Sequence, residues 1–231
     1  NITVHAADAS GAFTAQTFTI AVTDVAPSQP TDGNNATNTV SEGASNGDLV
    51  GITATSSDVN GGAVTFSLSD DAGGRFAIDA STGVVTVANA SLLDYETATS
   101  HNITVLATST DGSANSQTFT IGVTNVSDNP VVGPTDTDGA ANTVAENAAN
   151  GTLVGITAQA SDADPGTTIS YSLTDNAGGR FAIDPATGVV TVANGSLLNF
   201  EAATSHSITV QTSDGTLTSS PCNFSWNTHL Y

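Results

Sequence analysis

The stretch 71–105, DAGGRFAIDASTGVVTVANASLLDYETATSHNITV, returns as 176–210, NAGGRFAIDPATGVVTVANGSLLNFEAATSHSITV, with 27 of 35 positions unchanged. A repeat this close, at a spacing of about 105 residues, means tandem copies of one domain. The period is far beyond the roughly 20–50 residues of a solenoid unit and suits an autonomous sandwich of about 100. Working outward, two full copies are expected at 38–126 and 142–231, with linkers at 26–37 and 127–141. Ahead of them, residues 14–25 (TAQTFTIAVTDV) align with 115–126 (NSQTFTIGVTNV), so residues 1–25 read as the closing strands of an incomplete third copy. The chain opens inside a repeat, without Met or targeting segment, and reads as a piece of a longer polypeptide or a processed form.

Charge narrows the list of partners. The chain carries 22 acidic residues against two Arg and no Lys, for a net charge of -20. Such a surface repels nucleic acid and anionic membranes, so neither is an expected partner. Mutual repulsion also works against the compact state unless cations gather, which divalent ions or a saline habitat would supply. Cys222 is the single cysteine, so no disulfide closes within the chain. No apolar run approaches the roughly 20 residues of a membrane-spanning helix. The Thr/Ser/Asn/Gly/Ala-rich, aromatic-poor composition resembles that of long bacterial surface proteins, which often do without cysteine.

Short stretches with period-2 alternation recur between turn signals, the pattern of an all-β sandwich. In the first copy strands are expected near 49–55, 63–68, 76–78, 84–87, 102–106 and 117–123, with an opening strand near 38–41. Turns fall at Asn60-Gly61-Gly62, Ala72-Gly73-Gly74, Thr82-Gly83 and Asp111-Gly112. No stretch sustains helical spacing. At the C-terminus the register is kept, with Phe224, Trp226 and Thr228 expected on the inward face where the first copy has Phe119, Ile121 and Val123.

Five motifs recur in order in both copies. They are Val-x-Glu (Val40, Glu42; Val144, Glu146), Asn-Gly-x-Leu-Val-Gly (46–51; 150–155) and Asp-x-Asp/Asn (Asp58, Asn60; Asp162, Asp164). Phe-x-Ile-Asp-x-x-Thr-Gly (76–83; 181–188) and Leu-Asp-Tyr-Glu with its variant Leu-Asn-Phe-Glu (93–96; 198–201) complete the set. In that order and spacing they resemble the cadherin repeat, in the form found in long bacterial adhesins. The resemblance implies tandem seven-stranded Greek-key β-sandwiches of immunoglobulin-like architecture, outside the cell or on its surface, with calcium held between successive domains. Calcium prefers six to eight oxygen ligands, and carboxylates crowded together are tolerable only around a cation.

Carried over by motif, the resemblance implies a middle junction made from Glu42, Asp94 and Glu96 of the first copy, Asp128 and Asn129 of the linker, and Asp162, Asp164 and Asp214 of the second. Asn125 and Ser127 depart from the family's Asp and Asn. The first junction is poorer: its linker lacks the Asp-Asn pair, Asn60 weakens Asp-x-Asp, and Ser109 stands where the second copy has Asp214, with Asp111 close by. Weak or absent calcium is expected there. Glu146 and Glu201 are expected to lack the partners that form a cluster.

Other residues read more plainly. Asp136 and Asp138 could form another small site but are expected to be a plain acidic loop. Arg75 and Arg180, the only cationic side chains besides histidine, are expected to pair with a carboxylate such as Asp79 or Asp184. His101 and His206 open matching strands and are expected to fill space where the family often has an aromatic. Two small sandwiches offer no cleft for paired-carboxylate chemistry, and an enzyme is not expected. The leading functional class is therefore a calcium-stiffened structural or adhesive spacer, with calcium and neighbouring repeats or like chains as partners. A self-assembling filament or surface-layer subunit using strand addition is one alternative, and a carbohydrate-binding sandwich is the other.

Overall fold

Along the strand Leu49–Thr55 the side chains of Val50, Ile52 and Ala54 are buried, while Leu49 and Thr55 face solvent. That alternation places one face of a pleated strand against a core, and it recurs throughout the chain. The computed structural model describes residues 1–229, with side chains through residue 225. It divides into two compact units, 1–124 and 125–231.

The first unit opens with an antiparallel hairpin, β1 (Ile2–Ala7) and β2 (Phe13–Phe18), joined in register from Ile2–Phe18 to Ala7–Phe13. A sandwich follows: β3 (Thr31–Asp32), β4 (Thr39–Ser41), β5 (Leu49–Thr55), β6 (Val64–Asp70), β7 (Phe76–Ile78), β8 (Val84–Val87), β9 (Ser100–Ser109) and β10 (Ala114–Thr124). One sheet runs β3-β5-β8-β7 and the other β4-β10-β9-β6. The opening strand is thus split between the sheets: β3 lies antiparallel to β5, and β4 parallel to β10. Counted as one, it makes seven strands per sandwich.

The second unit repeats the plan with β11 (Val132–Asp136), β12 (Thr143–Ala145), β13 (Leu153–Ser161), β14 (Ser170–Asp175), β15 (Phe181–Ile183), β16 (Val189–Val192), β17 (Ser205–Ser213) and β18 (Cys222–His229). Its sheets are β11-β13-β16-β15 and β12-β18-β17-β14. β3 and β11 lie within the segments that the sequence reads as linkers. Each core is filled from both sheets: Ile52, Phe76, Val85, Ile103 and Ile121 in the first, Ile156, Phe181, Val190, Leu198 and Ile208 in the second. Phe224 is buried opposite Ile208, as the shared register requires. The side chains of Trp226 and Thr228 lie outside the described residues, although both positions pair within the sheet.

The Asp-x-x-Thr-Gly motif is a turn with no spare room. Asp79 Oδ1 accepts from the N–H groups of Ser81 and Thr82 and from the Thr82 hydroxyl, and these bonds hold its carboxyl below the usual carboxylate range. Gly83 follows at φ +71°, and a Cβ there would lie 2.1 Å from the Ala54 carbonyl oxygen. Gly188 repeats this at φ +72°, again 2.1 Å from a carbonyl oxygen, that of Ala158. Because Asp79 is already engaged, Arg75 turns elsewhere. Its Nε donates to the Leu92 carbonyl and its Nη1 to the Ala72 carbonyl, at 2.9 and 2.7 Å. Arg180 makes the same two bonds, to Leu197 and Ala177. The expected carboxylate pairing is therefore replaced by a clamp on two backbone turns.

His101 and His206 do occupy the aromatic-like positions, with ring centroids 6.2 Å from Phe76 and 6.1 Å from Phe181. The buried Nε2 of each has no hydrogen-bond partner. Burial, and secondarily the charge of Arg75 or Arg180, lowers both imidazole pKa values. The unfolded chain therefore takes up these protons first as pH falls. The stabilisation is complete above the ordinary value of about 6.5 and declines as pH drops from there toward the lower folded values. We expect urea unfolding to show a stability loss between about pH 6.5 and 5 that is absent in the His101→Phe, His206→Phe double variant. An unchanged pH profile in that variant would place the loss elsewhere.

Candidate metal centre

In the second unit, Asp162, Asp164 and Asp214 bring carboxylate oxygens within 4.8 Å of one another. Asp162 and Asp164 sit just past β13 in a turn closed by the Asp164 N–H donating to Asp162 Oδ1 at 2.9 Å. Asp214 comes from the turn after β17, where its Oδ1 accepts from the N–H groups of Thr216 and Leu217 at 2.6 Å each. Those backbone bonds hold its carboxyl below the usual range, so it is ionised at neutral pH.

The linker adds hydrogen bonds to this group. Asn129 donates from its backbone N–H to Asp164 Oδ2 and from Nδ2 to Asp164 Oδ1, both at 3.0 Å, and Nδ2 also reaches Asp128 Oδ1 at 3.1 Å. Ser127 Oγ donates to Asp214 Oδ2 at 2.9 Å. Sequence reading treats Ser127 only as a lost ligand; the structure shows it orienting one. Asp164 is 2% exposed, and the buried Oδ2 of Asp162 has no donor at all.

Three carboxylates this close repel one another, and a buried anionic oxygen without a donor is costly. A hard divalent cation relieves both. The donors are all oxygen, which suits calcium or magnesium and not the softer metals bound by sulfur or imidazole.

The first unit holds another part of the expected set. Glu42, 7% exposed, and Glu96 bring carboxylate oxygens within 4.8 Å of each other. Glu42 is fixed by the Tyr95 N–H, which donates to its Oε2 at 2.6 Å. This bond explains why Val-x-Glu and Leu-Asp-Tyr-Glu travel together. Asp94, on the same turn, is not among the carboxylates gathered that closely; its Oδ1 accepts from the Thr97 N–H at 2.7 Å. In the second unit Glu146 is held in the same way, accepting from the Phe200 N–H at 3.1 Å, and neither it nor Glu201 joins a carboxylate cluster among the described residues.

The sequence pattern of the Cadherin domain matches residues 37–124 and 141–225. The chain belongs to the cadherin family. Cadherin domains are extracellular adhesion modules without enzymatic activity, and they bind calcium in general. This cadherin chain is 42% identical over 145 residues to mouse Protocadherin Fat 4, covering 60% of the chain and 3% of that protein. It is 35% identical over 174 residues to human Protocadherin Fat 1, covering 72% of the chain and 4% of that protein. The chain thus spans a few per cent of the length of these animal relatives. Among solved structures, repeats EC22–24 of mouse Cadherin-23 match with a TM-score of 0.65 at 26% identity, over 90% of this chain and 67% of that one. Human Protocadherin-24 EC1–2 matches in fold with a TM-score of 0.68 at 20% identity, over 90% of this chain and all of that one. No helix among the described residues is long and apolar enough to cross a membrane.

Proposed function

We propose that this chain is a calcium-stiffened adhesive spacer from a large extracellular or cell-surface protein, projecting a distal binding domain toward a target. Calcium would be held by Glu42, Asp94 and Glu96 of one repeat together with Asp128, Asn129, Asp162, Asp164 and Asp214. The observation that carries the reading is the buried, donorless Oδ2 of Asp162 beside the ionised Asp214. In this reading the ion neutralises a charge cluster that the chain otherwise carries at a cost. Its removal lets the carboxylates repel, loosens the linker and lowers the stability of the domains. The bacterial assignment rests on composition, since the curated relatives named above are animal proteins.

The same reading assigns residues 1–25 to the closing strands of a further repeat. Ile2 pairs with Phe18 and Val4 with Gln16, as Ile103 pairs with Phe119 and Val105 with Gln117. The apolar face that β9 and β10 bury is exposed in β1 and β2.

Thermal unfolding across a calcium titration, with chelator and magnesium controls, tests the spacer reading. A rise of several degrees that saturates with calcium but not with magnesium is expected. A flat response would overturn it and leave the carboxylates as acidic surface.

A further inference from the structure

We infer that Asn60 is a self-modification site, where the folded chain loses a side-chain amide and gains a carboxylate. Four Asn-Gly steps occur, at 46–47, 60–61, 150–151 and 194–195, all among the described residues. An asparagine followed by glycine can cyclise, because no side chain shields the next backbone nitrogen. That nitrogen gives up its proton and bonds to the asparagine Cγ, the Cγ–Nδ2 bond breaks, and Nδ2 leaves as ammonia. Water then opens the succinimide ring. Opening at the Cγ side leaves aspartate, and opening at the backbone carbonyl leaves isoaspartate, with the main chain running through Cγ. The reaction needs only water, and its rate follows how freely nitrogen and Cγ reach an attacking geometry.

At three steps the fold withholds that freedom by holding both reacting groups. Gly47 N–H donates to the Val87 carbonyl at 2.8 Å, and Asn46 Oδ1 accepts from the Ala90 N–H at 2.7 Å. The second repeat copies this: Gly151 N–H donates to the Val192 carbonyl at 2.7 Å, and Asn150 Oδ1 accepts from the Gly195 N–H at 3.0 Å. That last bond also occupies the nitrogen of the 194–195 step, where Asn194 Oδ1 accepts from the N–H and hydroxyl of Ser196. Gly195 is buried besides. Cyclisation at any of the three requires breaking bonds between segments far apart in sequence, so each is protected by the cost of local opening.

Asn60 differs on every count. Asn60 and Gly61 are exposed, in the turn between β5 and β6. Gly61 N–H reaches only the Asp58 carbonyl of its own turn, at 3.1 Å. Asn60 Oδ1 accepts no hydrogen bond among the described residues; the side chain is held through Nδ2, the leaving group, which donates to Asp24 Oδ1 at 3.1 Å. Gly61 has a φ of +82°, and a Cβ there would meet nothing within 4 Å, so the turn has room to move.

The fold accommodates the aspartate product, since the second repeat carries Asp164 at the matching position. The conversion nevertheless has a structural consequence. It removes the donor that ties Asp24 to the turn and sets two like charges side by side. As the protein ages, the segment around Asp24 is released from the sandwich it leads into.

The test incubates the full wild-type chain at mildly alkaline pH in chelator, which keeps the outcome independent of the spacer reading. Peptide mass spectrometry then follows the amide-to-carboxyl mass change at each step, with chromatography separating aspartate from isoaspartate. In the folded chain Asn60 is expected to convert about tenfold or more faster than Asn46, Asn150 or Asn194. In urea the four rates should converge. Gly61→Ala, which shields the nitrogen without a clash, should slow Asn60 about tenfold. Similar rates at the four steps of the folded chain, or a lead for any of the other three, would overturn the inference. A lead for Asn60 that persisted undiminished in urea would also overturn it, because the fold would then not be what selects the site.

Discussion

Replacing Asp162 and Asp164 together by Ala is expected to remove most of the calcium-dependent stabilisation of this chain. A ligand that binds only the folded state adds RT ln(1 + [L]/Kd), about 2.7 kcal/mol at a hundredfold excess over Kd. For a domain of about 100 residues that corresponds to a rise in Tm of roughly 10 °C. The double variant deletes the buried oxygen of Asp162 that has no other partner and both oxygens that Asn129 holds on Asp164. Its Tm in chelator should stay within a few degrees of wild type, because lost hydrogen bonds are offset by relieved repulsion. Its Tm in saturating calcium should barely move. Differential scanning calorimetry in both conditions measures this, and a double variant that kept the full wild-type shift would sink the ligand assignment.

The second large effect is at Gly188, where Ala is expected to cost about 2–4 kcal/mol. Two penalties combine there. The φ of +72° is unfavourable for any residue with a Cβ, and that Cβ would sit 2.1 Å from the Ala158 carbonyl oxygen. Ala158 is in β13, an inner strand of its sheet, so its backbone has little freedom to withdraw. Gly166 separates the two penalties: its φ is +82°, but a Cβ would meet nothing within 4 Å. Gly166→Ala should therefore cost only about 1 kcal/mol. Urea unfolding of both variants decides the matter, and equal losses would show that crowding plays no part.

How much of this was legible depended on whether side chains or backbone carried the signal. The strands Leu49–Thr55, Phe76–Ile78 and Val84–Val87 match the sequence reading at both ends, because buried residues alternate cleanly along them or turn residues bound them. β9 runs from Ser100 to Ser109, beyond the expected 102–106, since Ser and Thr at its ends pair through backbone groups that no apolar pattern reports. β3 and β11 were invisible for a related reason: they are short, carry no alternating apolar run, and exist through pairing with β5 and β13. In the second unit the motif residues Asp162, Asp164 and Asp214 do come together. The roles of Ser127 and Arg75 were not legible. One depends on which oxygen a hydroxyl reaches, and the other on Asp79 being already filled by turn donors.

The parallel pairing of β4 with β10, and of β12 with β18, joins the opening strand of each sandwich to its closing strand. Tension applied through the two ends of a repeat would draw these neighbours past each other along their length. The backbone bonds between them would then be loaded side by side in shear and yield together, where a hairpin pulled from its open end gives way one rung at a time. A sandwich wired in this way would resist a pull as a tether does, with the loaded seam where the chain enters and leaves.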